Sequence, residues 1–158
     1  MALQFRRVVT GHDETGRAVV KIDEIARNLV SSRPGATASV VWTTQGFPVE
    51  NIGGDDQGLR QTGTTLDNGT VFRVLEIAPG ASPRKHRTDS IDYAVVMSGE
   101  IHMELDDTTV HLKAGDVLVQ RGTIHNWVNR GTVPCVIAFV LIAAKPVEIG
   151  GRVLHAQG

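Results

Sequence analysis

The stretch RKHRTDSIDYAVVMSGE, residues 84–100, places charged and polar residues directly before an apolar segment that ends at a Ser-Gly pair. Because strand side chains point to opposite faces in turn, Asp92, Ala94 and Val96 share one face and Tyr93 lies on the other. A carboxylate on a strand face that otherwise reads as core needs a partner, because burying an uncompensated charge is costly. Either these polar side chains bind a ligand, commonly a metal, or they form a satisfied polar cluster.

Short apolar segments separated by glycine-containing turns surround this stretch. Segments at such regular intervals, without a helical pattern between them, predict an all-β sandwich or barrel. From residue 69 onwards the predicted strands are TVFRVLEIA, IDYAVVM, IHMEL, TVHLK, DVLVQ, IHNWVN and CVIAFVLI.

The first 68 residues are interpreted as an extension packed on this β core. FRRVVT and RAVVKI flank GHDETG and predict a hairpin, whereas DEIARNLV has apolar residues at helical spacing and predicts a short helix. ATASVVWTT predicts a strand suited to pairing between subunits. The polar segment from residue 45 to 68 is a candidate lid, or a flap over a partner subunit.

Composition narrows the class of protein. The 158 residues carry 16 Lys and Arg and 17 Asp and Glu, so the formal net charge is −1 and nothing favours nucleic acid binding. The longest apolar run, residues 135–144, is too short to span a membrane, and the N-terminus has no signal-peptide pattern. One cysteine, Cys135, excludes an internal disulfide and fits a reducing compartment. We expect one soluble, cytoplasmic domain that binds neither nucleic acid nor membranes.

Two spaced motifs resemble those of the cupin superfamily. The first cupin motif runs Gly, five residues, His-x-His, three residues, Glu, six residues, Gly. Gly80, His86 and Gly99 match it at the same spacing, whereas Thr88 stands at the second histidine and Asp92 at the glutamate.

The second motif is represented by GDVLVQRGTIHNWVN, residues 115–129. Gly122, His125 and Asn129 match the cupin pattern, Gln120 stands at the usual proline, and one gap is a residue shorter. The resemblance covers about residues 70–144 and is closest in kind to small single-domain cupins of bacteria and fungi.

The resemblance implies a conical β-barrel of the jelly-roll type (a double-stranded β-helix), commonly with a divalent metal inside. Carried over by position, the metal ligands are His86, Asp92 and His125, a set that suits Fe, Zn, Mn or Ni. Thr88 is a poor ligand and is assigned a catalytic role instead, orienting water or a substrate group. Asp92 is one methylene shorter than glutamate, so an acid–base role without metal contact stays open.

Three further residues complete the predicted site. Trp127 and Asn129 share a strand face with His125 and are assigned to the substrate pocket. Arg73 alternates with apolar neighbours and, if it faces inward, would anchor a substrate carboxylate; a solvent-facing position is the alternative. The remaining histidines are expected to lie outside the site: His12, His102, His111 and His155.

The expected architecture is an extension over residues 1–68, a cupin barrel over residues 69–146 and a C-terminal tail over residues 147–158. Two classes of function remain open. One is a metal-dependent enzyme for a small carbonyl or carboxylate compound, with decarboxylase or dehydratase chemistry preferred over that of a non-haem iron dioxygenase. The other is a non-catalytic small-molecule binding protein. A homodimer is expected from the resemblance.

Overall fold

The computed structural model describes residues 3–158, apart from the side chain at position 32, and the regular secondary structure of this part of the chain is almost entirely β-strand. One 3-10 helix (Gln57–Leu59) interrupts them, and no helix in the described residues is long and apolar enough to cross a membrane. The strands are β1 (Arg6–His12), β2 (Ala18–Ile25), β3 (Leu29–Arg33), β4 (Ala36–Gln45), β5 (Gly69–Ile77), β6 (Ser90–Ser98), β7 (Glu100–Glu104), β8 (Thr109–Lys113), β9 (Val117–Arg121), β10 (Asn126–Val128), β11 (Cys135–Ala143), β12 (Val147–Ile149) and β13 (Arg152–Leu154).

Two antiparallel sheets enclose the main core. The larger has six strands in the order β3-β4-β5-β11-β6-β9, and the smaller has three in the order β10-β7-β8. Their inward side chains form one apolar cluster, to which Val71 and Ile137 contribute from the large sheet and Ile101 and Trp127 from the small one. The predicted all-β barrel is therefore confirmed, and every strand predicted after residue 68 is present.

The N-terminal extension is part of the barrel wall. The β1–β2 hairpin forms as predicted, and β3 and β4 continue the large sheet beyond β5, so the sheet crosses the boundary expected at residue 68. The helix predicted over DEIARNLV is wrong. Asp23 and Ile25 belong to β2, where they pair with Val8 and Arg6, because hydrogen bonding to β1 outweighs a weak helical spacing.

The predicted role of the SVVWTT strand in pairing between subunits stays a prediction. This segment lies in β4, where Ser39 pairs with both β3 and β5, whereas the residues after Ser39 pair with β5 alone. The edge strands of the large sheet are β3 and β9, and the outer faces of β9 and of its neighbour β6 are apolar. We call this surface the outer patch; it comprises Tyr93, Val95, Met97, Val117 and Val119, all exposed.

A buried arginine on β1 connects β2 and β4 with the loop before β5. Arg7 is 2% exposed and donates hydrogen bonds to the carboxylates of Glu24 and Asp56 and to the carbonyl of Val41. Gly58 packs against it so closely that a Cβ there would lie 1.9 Å from Arg7 Nη1. The middle of the segment 45–68, at Asp56 and Gly58, is therefore fixed against the barrel, which positions the residues after it.

Candidate active site

A cavity of about 670 Å³ opens inside the barrel, between the large sheet and the segment that carries the first motif. Residues 58–64, from the predicted lid, form part of its wall. Six of the seven predicted site residues line it: Arg73, His86, Thr88, Asp92, His125 and Trp127.

His86 and His125 come from two segments that the backbone holds side by side. The amide nitrogen of each donates to the carbonyl of the other at 2.9 Å, which forms an isolated antiparallel bridge. Both side chains are buried, and their ring centroids are 4.2 Å apart. The two motifs, about forty residues apart in sequence, therefore meet through main-chain hydrogen bonds beneath the imidazoles.

Each imidazole is held in the same tautomer by a carbonyl two residues earlier. His86 Nδ1 lies 3.0 Å from the carbonyl oxygen of Arg84, and His125 Nδ1 lies 3.0 Å from that of Thr123. A carbonyl only accepts, so Nδ1 carries the proton in both rings and Nε2 keeps a lone pair. Burial lowers the pKa of His86 to about 4 and also lowers that of His125, so both rings are neutral at neutral pH.

Gln120 connects His125 with Asp92. Its amide nitrogen is 3.0 Å and 3.3 Å from the two ring nitrogens of His125 and 3.3 Å from Asp92 Oδ2. Because His125 Nδ1 donates to Thr123, Nε2 is the ring nitrogen that can accept a hydrogen bond from this amide, at 3.3 Å. Gln120 is 4% exposed, and its Oε1 is buried without a hydrogen-bond partner.

The carboxylate of Asp92 is bound by protein groups. Ser90 Oγ donates to Asp92 Oδ1 and lies 2.8 Å from Thr88 Oγ1, while Gln120 binds the other carboxylate oxygen. Burial raises the pKa of Asp92, whereas the Ser90 hydrogen bond and the charge of Arg73 act in the opposite direction. Asp92 is therefore a buried acid held in a hydrogen-bonded row.

The predicted three-ligand metal site is not present in this arrangement. Within residues 3–158, no three His, Cys, Asp or Glu side chains are grouped so that they could hold one ion, because Ser90 and Gln120 hold the Asp92 carboxylate. His86 and His125 share two features of metal ligands, a neutral ring and an Nδ1 proton donated to a fixed acceptor, although the Gln120 amide lies 3.3 Å from His125 Nε2. The donor set fits a divalent ion through these two imidazoles.

Arg73 faces the interior. Its neighbours across the sheet are Val40 on β4 and Phe139 on β11, and Nε is buried without a partner. Its guanidinium forms no side-chain hydrogen bond or ion pair with any residue that the structure describes. The carboxylate that interacts with its charge, at longer range, is Asp92. Burial, together with the nearby charge of Arg84, lowers the pKa of Arg73 to about 10, which leaves it charged at neutral pH.

Asn129 does not belong to the cavity lining, contrary to its assignment to the substrate pocket. Its Nδ2 donates to the carbonyls of Ile77 and Val133 at 2.8 Å and 2.9 Å, and its Oδ1 accepts from the amide of Gly131 at 2.9 Å. All of its hydrogen-bonding groups therefore serve the turn before β11. Trp127 does line the cavity, with its ring 5.7 Å from that of His125.

Two features of the site were not predicted. Gln120 was noted only as a departure from the second motif, although a buried amide at the end of an apolar strand could have marked it. The C-terminal segment holds the loop of His86: Arg87 and Gln157 exchange main-chain hydrogen bonds, and Arg84 donates to the carbonyl of Gly158 at 3.0 Å. No sequence pattern indicated this contact. The four histidines expected outside the site are absent from the cavity lining.

Comparison with known proteins identifies the family. The Cupin domain family matches residues 73–142. A phomopsin biosynthesis cluster protein C' of Diaporthe leptostromiformis is 37% identical, and the alignment covers 94% of this chain and 83% of that protein. A cupin-domain-containing oxidoreductase of Aspergillus ruber is 34% identical over 92% of this chain and 76% of the relative. This chain therefore belongs to the cupin family.

Solved structures agree on the fold. The cupin domain of Cnp3 from Schizosaccharomyces pombe has a TM-score of 0.53 at 12% identity, covering 87% of each chain. An RmlC-like cupin from Shewanella frigidimarina has a TM-score of 0.50 at 14% identity, covering 75% of this chain and 85% of that one. At these identities the likeness concerns the fold alone.

Proposed function

We propose that this chain is a cupin enzyme that binds a small carboxylate or carbonyl compound in the barrel and transforms it beside His86 and His125. The observation that carries this proposal is the pair of neutral imidazoles beside a ligand-sized cavity, each held by a backbone carbonyl through Nδ1. Because Nδ1 carries the proton in each ring, Nε2 is the atom through which either imidazole would bind a ligand.

A divalent metal is part of the proposal, with His86 and His125 as its protein ligands. When bound there, such an ion would polarise a substrate oxygen and leave positions for water and substrate. The third ligand of the original prediction, Asp92, is replaced in this proposal by solvent or substrate.

The other side chains bind and move protons. Arg73 has no carboxylate of its own in an ion pair, so a substrate carboxylate would compensate its charge and fix the orientation of the substrate. Asp92 has a raised pKa and lies in a hydrogen-bonded row with Ser90 and Thr88, which suits it to hold a proton and deliver it towards the substrate. Loss of carbon dioxide or water from the substrate is the preferred reaction class on these grounds.

An oxidation is the second candidate. Relatives at 29–37% identity over most of this chain include cupin-domain-containing oxidoreductases and proteins of fungal biosynthesis clusters. The same two imidazoles would serve a redox-active metal, and Arg73 would orient the substrate in the same way. A non-catalytic binding protein is the outcome if ligands bind without turnover.

Metal content measured by elemental mass spectrometry tests the proposal first. We expect near-stoichiometric metal in the wild type and in Asp92→Ala, and loss of metal in His86→Ala and in His125→Ala. His155→Ala, at an exposed histidine outside the cavity, is the matched control. Loss of metal in Asp92→Ala to the same degree would restore the three-ligand site. Absence of metal in the wild type after reconstitution with Fe, Mn, Ni and Zn would refute the metal-dependent enzyme.

Turnover separates the two reaction classes. The metal-loaded protein would be incubated with a panel of organic acids, with products followed by mass and dissolved oxygen by electrode. Products lighter by carbon dioxide or water, without oxygen uptake, favour the lyase. Oxygen uptake that disappears in His86→Ala favours the oxidation.

A further inference from the structure

We infer that the ligand of this cavity is amphiphilic, an anionic head joined to a long apolar body, and this inference rests on the proposed function because it specifies the substrate of the same site. Arg73 would bind the head, and the inner face of β3, β4 and β5 would cover the body. Compounds of the size of a two- to four-carbon acid would occupy only the polar part of the cavity.

The size of the cavity supports a large ligand. A water molecule takes up roughly 30 Å³ in the liquid, so a cavity of about 670 Å³ has room for on the order of 20 non-hydrogen atoms. The volume also falls in the middle of the range of pockets that bind drug-sized molecules.

The wall around Arg73 is apolar on both neighbouring strands. Val40 on β4 and Phe139 on β11 lie directly opposite Arg73, and one step along the sheet Ala38 lies opposite Leu75. All of these residues line the cavity. A charged head bound at Arg73 would therefore continue into a hydrocarbon-lined region, and the small Ala38 leaves space in it.

Apolar side chains at the rim of the cavity are exposed to solvent, and the apolar body of a bound ligand would cover them. Val30 on β3 is 63% exposed and Leu59 on the loop is 65% exposed, and both line the cavity. Leu29, which also lines it, is 37% exposed. These residues belong to the N-terminal extension, so the segment that enlarges the barrel also supplies its hydrocarbon surface.

The charged groups of the lining favour an anion. The lining contains four arginines and one carboxylate, Asp92. Arg33 and Arg84 are two of these arginines, and they add to the positive charge around Arg73. A cationic or neutral head would leave the buried guanidinium of Arg73 uncompensated.

Fluorescence of Trp127 measures the predicted binding. The chain has two tryptophans, so a Trp42→Phe background leaves Trp127, in the cavity wall, as the single reporter. Straight-chain carboxylates from butanoate to dodecanoate would be titrated in parallel with the alcohols of the same length. We expect the Kd of the acids to fall roughly threefold to fourfold for each added methylene until the wall is covered.

Variants of the apolar wall and of Arg73 test the apolar body and the anionic head of the ligand separately. Ala38→Phe fills the apolar region and should abolish the gain with chain length while short acids still bind; Ala38→Ile is a milder version if the first does not fold. Thr37→Phe, the next residue on β4 and outside the lining, is the control. Arg73→Met should weaken acids at least tenfold and leave alcohols unchanged, with exposed Arg121→Met as its control.

The outcomes distinguish this inference from the proposed function. Chain-length dependence that Ala38→Phe removes supports an amphiphilic ligand. If acids bind through Arg73 but their Kd does not depend on chain length, the apolar body of the ligand is refuted and the acid-binding site stands. Equal binding of acids and alcohols overturns the anionic head and the anchoring role of Arg73. If no acid of any length binds while the metal content follows His86 and His125, the inference fails and the metal site stands.

Discussion

Lowering the pH from 7 to 4.5 should destabilise this protein through His86, because that imidazole is buried in its neutral form. Burial lowers the pKa of His86 to about 4 in the folded protein, whereas an unfolded chain has a histidine pKa near 6.5. As the pH falls below 6.5, the unfolded state takes up the proton first. Folding stability from this group is therefore complete above pH 6.5 and is lost as the pH falls towards 4.

The magnitude follows from the two pKa values. Integration between them at 1.36 kcal/mol for each unit gives a loss of about 2.5 kcal/mol in the free energy of unfolding at pH 4.5. His125 acts in the same direction, since its pKa is also lowered. Asp92 acts in the opposite direction, because its raised pKa lets the folded state take up a proton before the unfolded state does.

Urea unfolding at pH 7 and at pH 4.5, in the presence of a chelator, measures the effect. The quantity compared is the change in unfolding free energy between the two pH values, in the wild type and in His86→Gln. The variant should lose about 2.5 kcal/mol less than the wild type on acidification, because glutamine does not titrate. His155→Gln, at an exposed position, should behave as the wild type does.

An equal pH dependence in the wild type and in His86→Gln would refute the reasoning. It would mean that His86 takes up its proton as readily in the folded barrel as in the unfolded chain. The burial of the imidazole and its fixed neutral tautomer would then be wrong as the basis of the site.

Three further predictions concern residues whose roles the structure defines. Arg7→Met should lower the unfolding free energy by about 3 kcal/mol, because Asp56 loses its buried partner; a loss within 0.5 kcal/mol, by urea titration, would contradict the clamp. Asn129→Ala should cost about 2–3 kcal/mol, since it leaves the carbonyl of Ile77 unpaired, without changing ligand affinity; a weaker affinity in titration calorimetry would return Asn129 to the pocket. If the outer patch joins two copies in a homodimer, Val119→Lys should shift the mass measured by light scattering from dimer to monomer, and a wild-type monomer would rule the dimer out.

The sequence was sufficient for features that depend on local periodicity. Alternation of apolar residues predicted the strands from residue 69 onwards, and the spacing of His86 and His125 within two motifs placed both in one cavity. These features could be predicted because the period of a strand and the length of a turn are properties of a few consecutive residues.

Other features depend on which strands meet, and these were missed or wrong. DEIARNLV has helical spacing, but its first residues form a strand because they pair with β1. Asn129 shares a strand face with His125, but its side chain donates a hydrogen bond to Ile77 on another strand. Gln120 became part of the site only because β9 lies beside β6, which brings its amide to Asp92. The residues next to each of these positions in the sequence do not indicate which strand will lie beside it.

The sequence by itself determined a cupin barrel with two histidines and a carboxylate directed to its interior. Only the tertiary structure decided which groups each side chain would contact. Ser90 and Gln120 are hydrogen-bonded to Asp92, and Arg73 is left without an ion pair in an apolar wall. The physical reason is that a hydrogen bond forms, or a charge finds a partner, only when two groups lie within a few ångströms of each other. Those groups belong to strands far apart in the chain, and the pattern along one strand does not determine the distance between them.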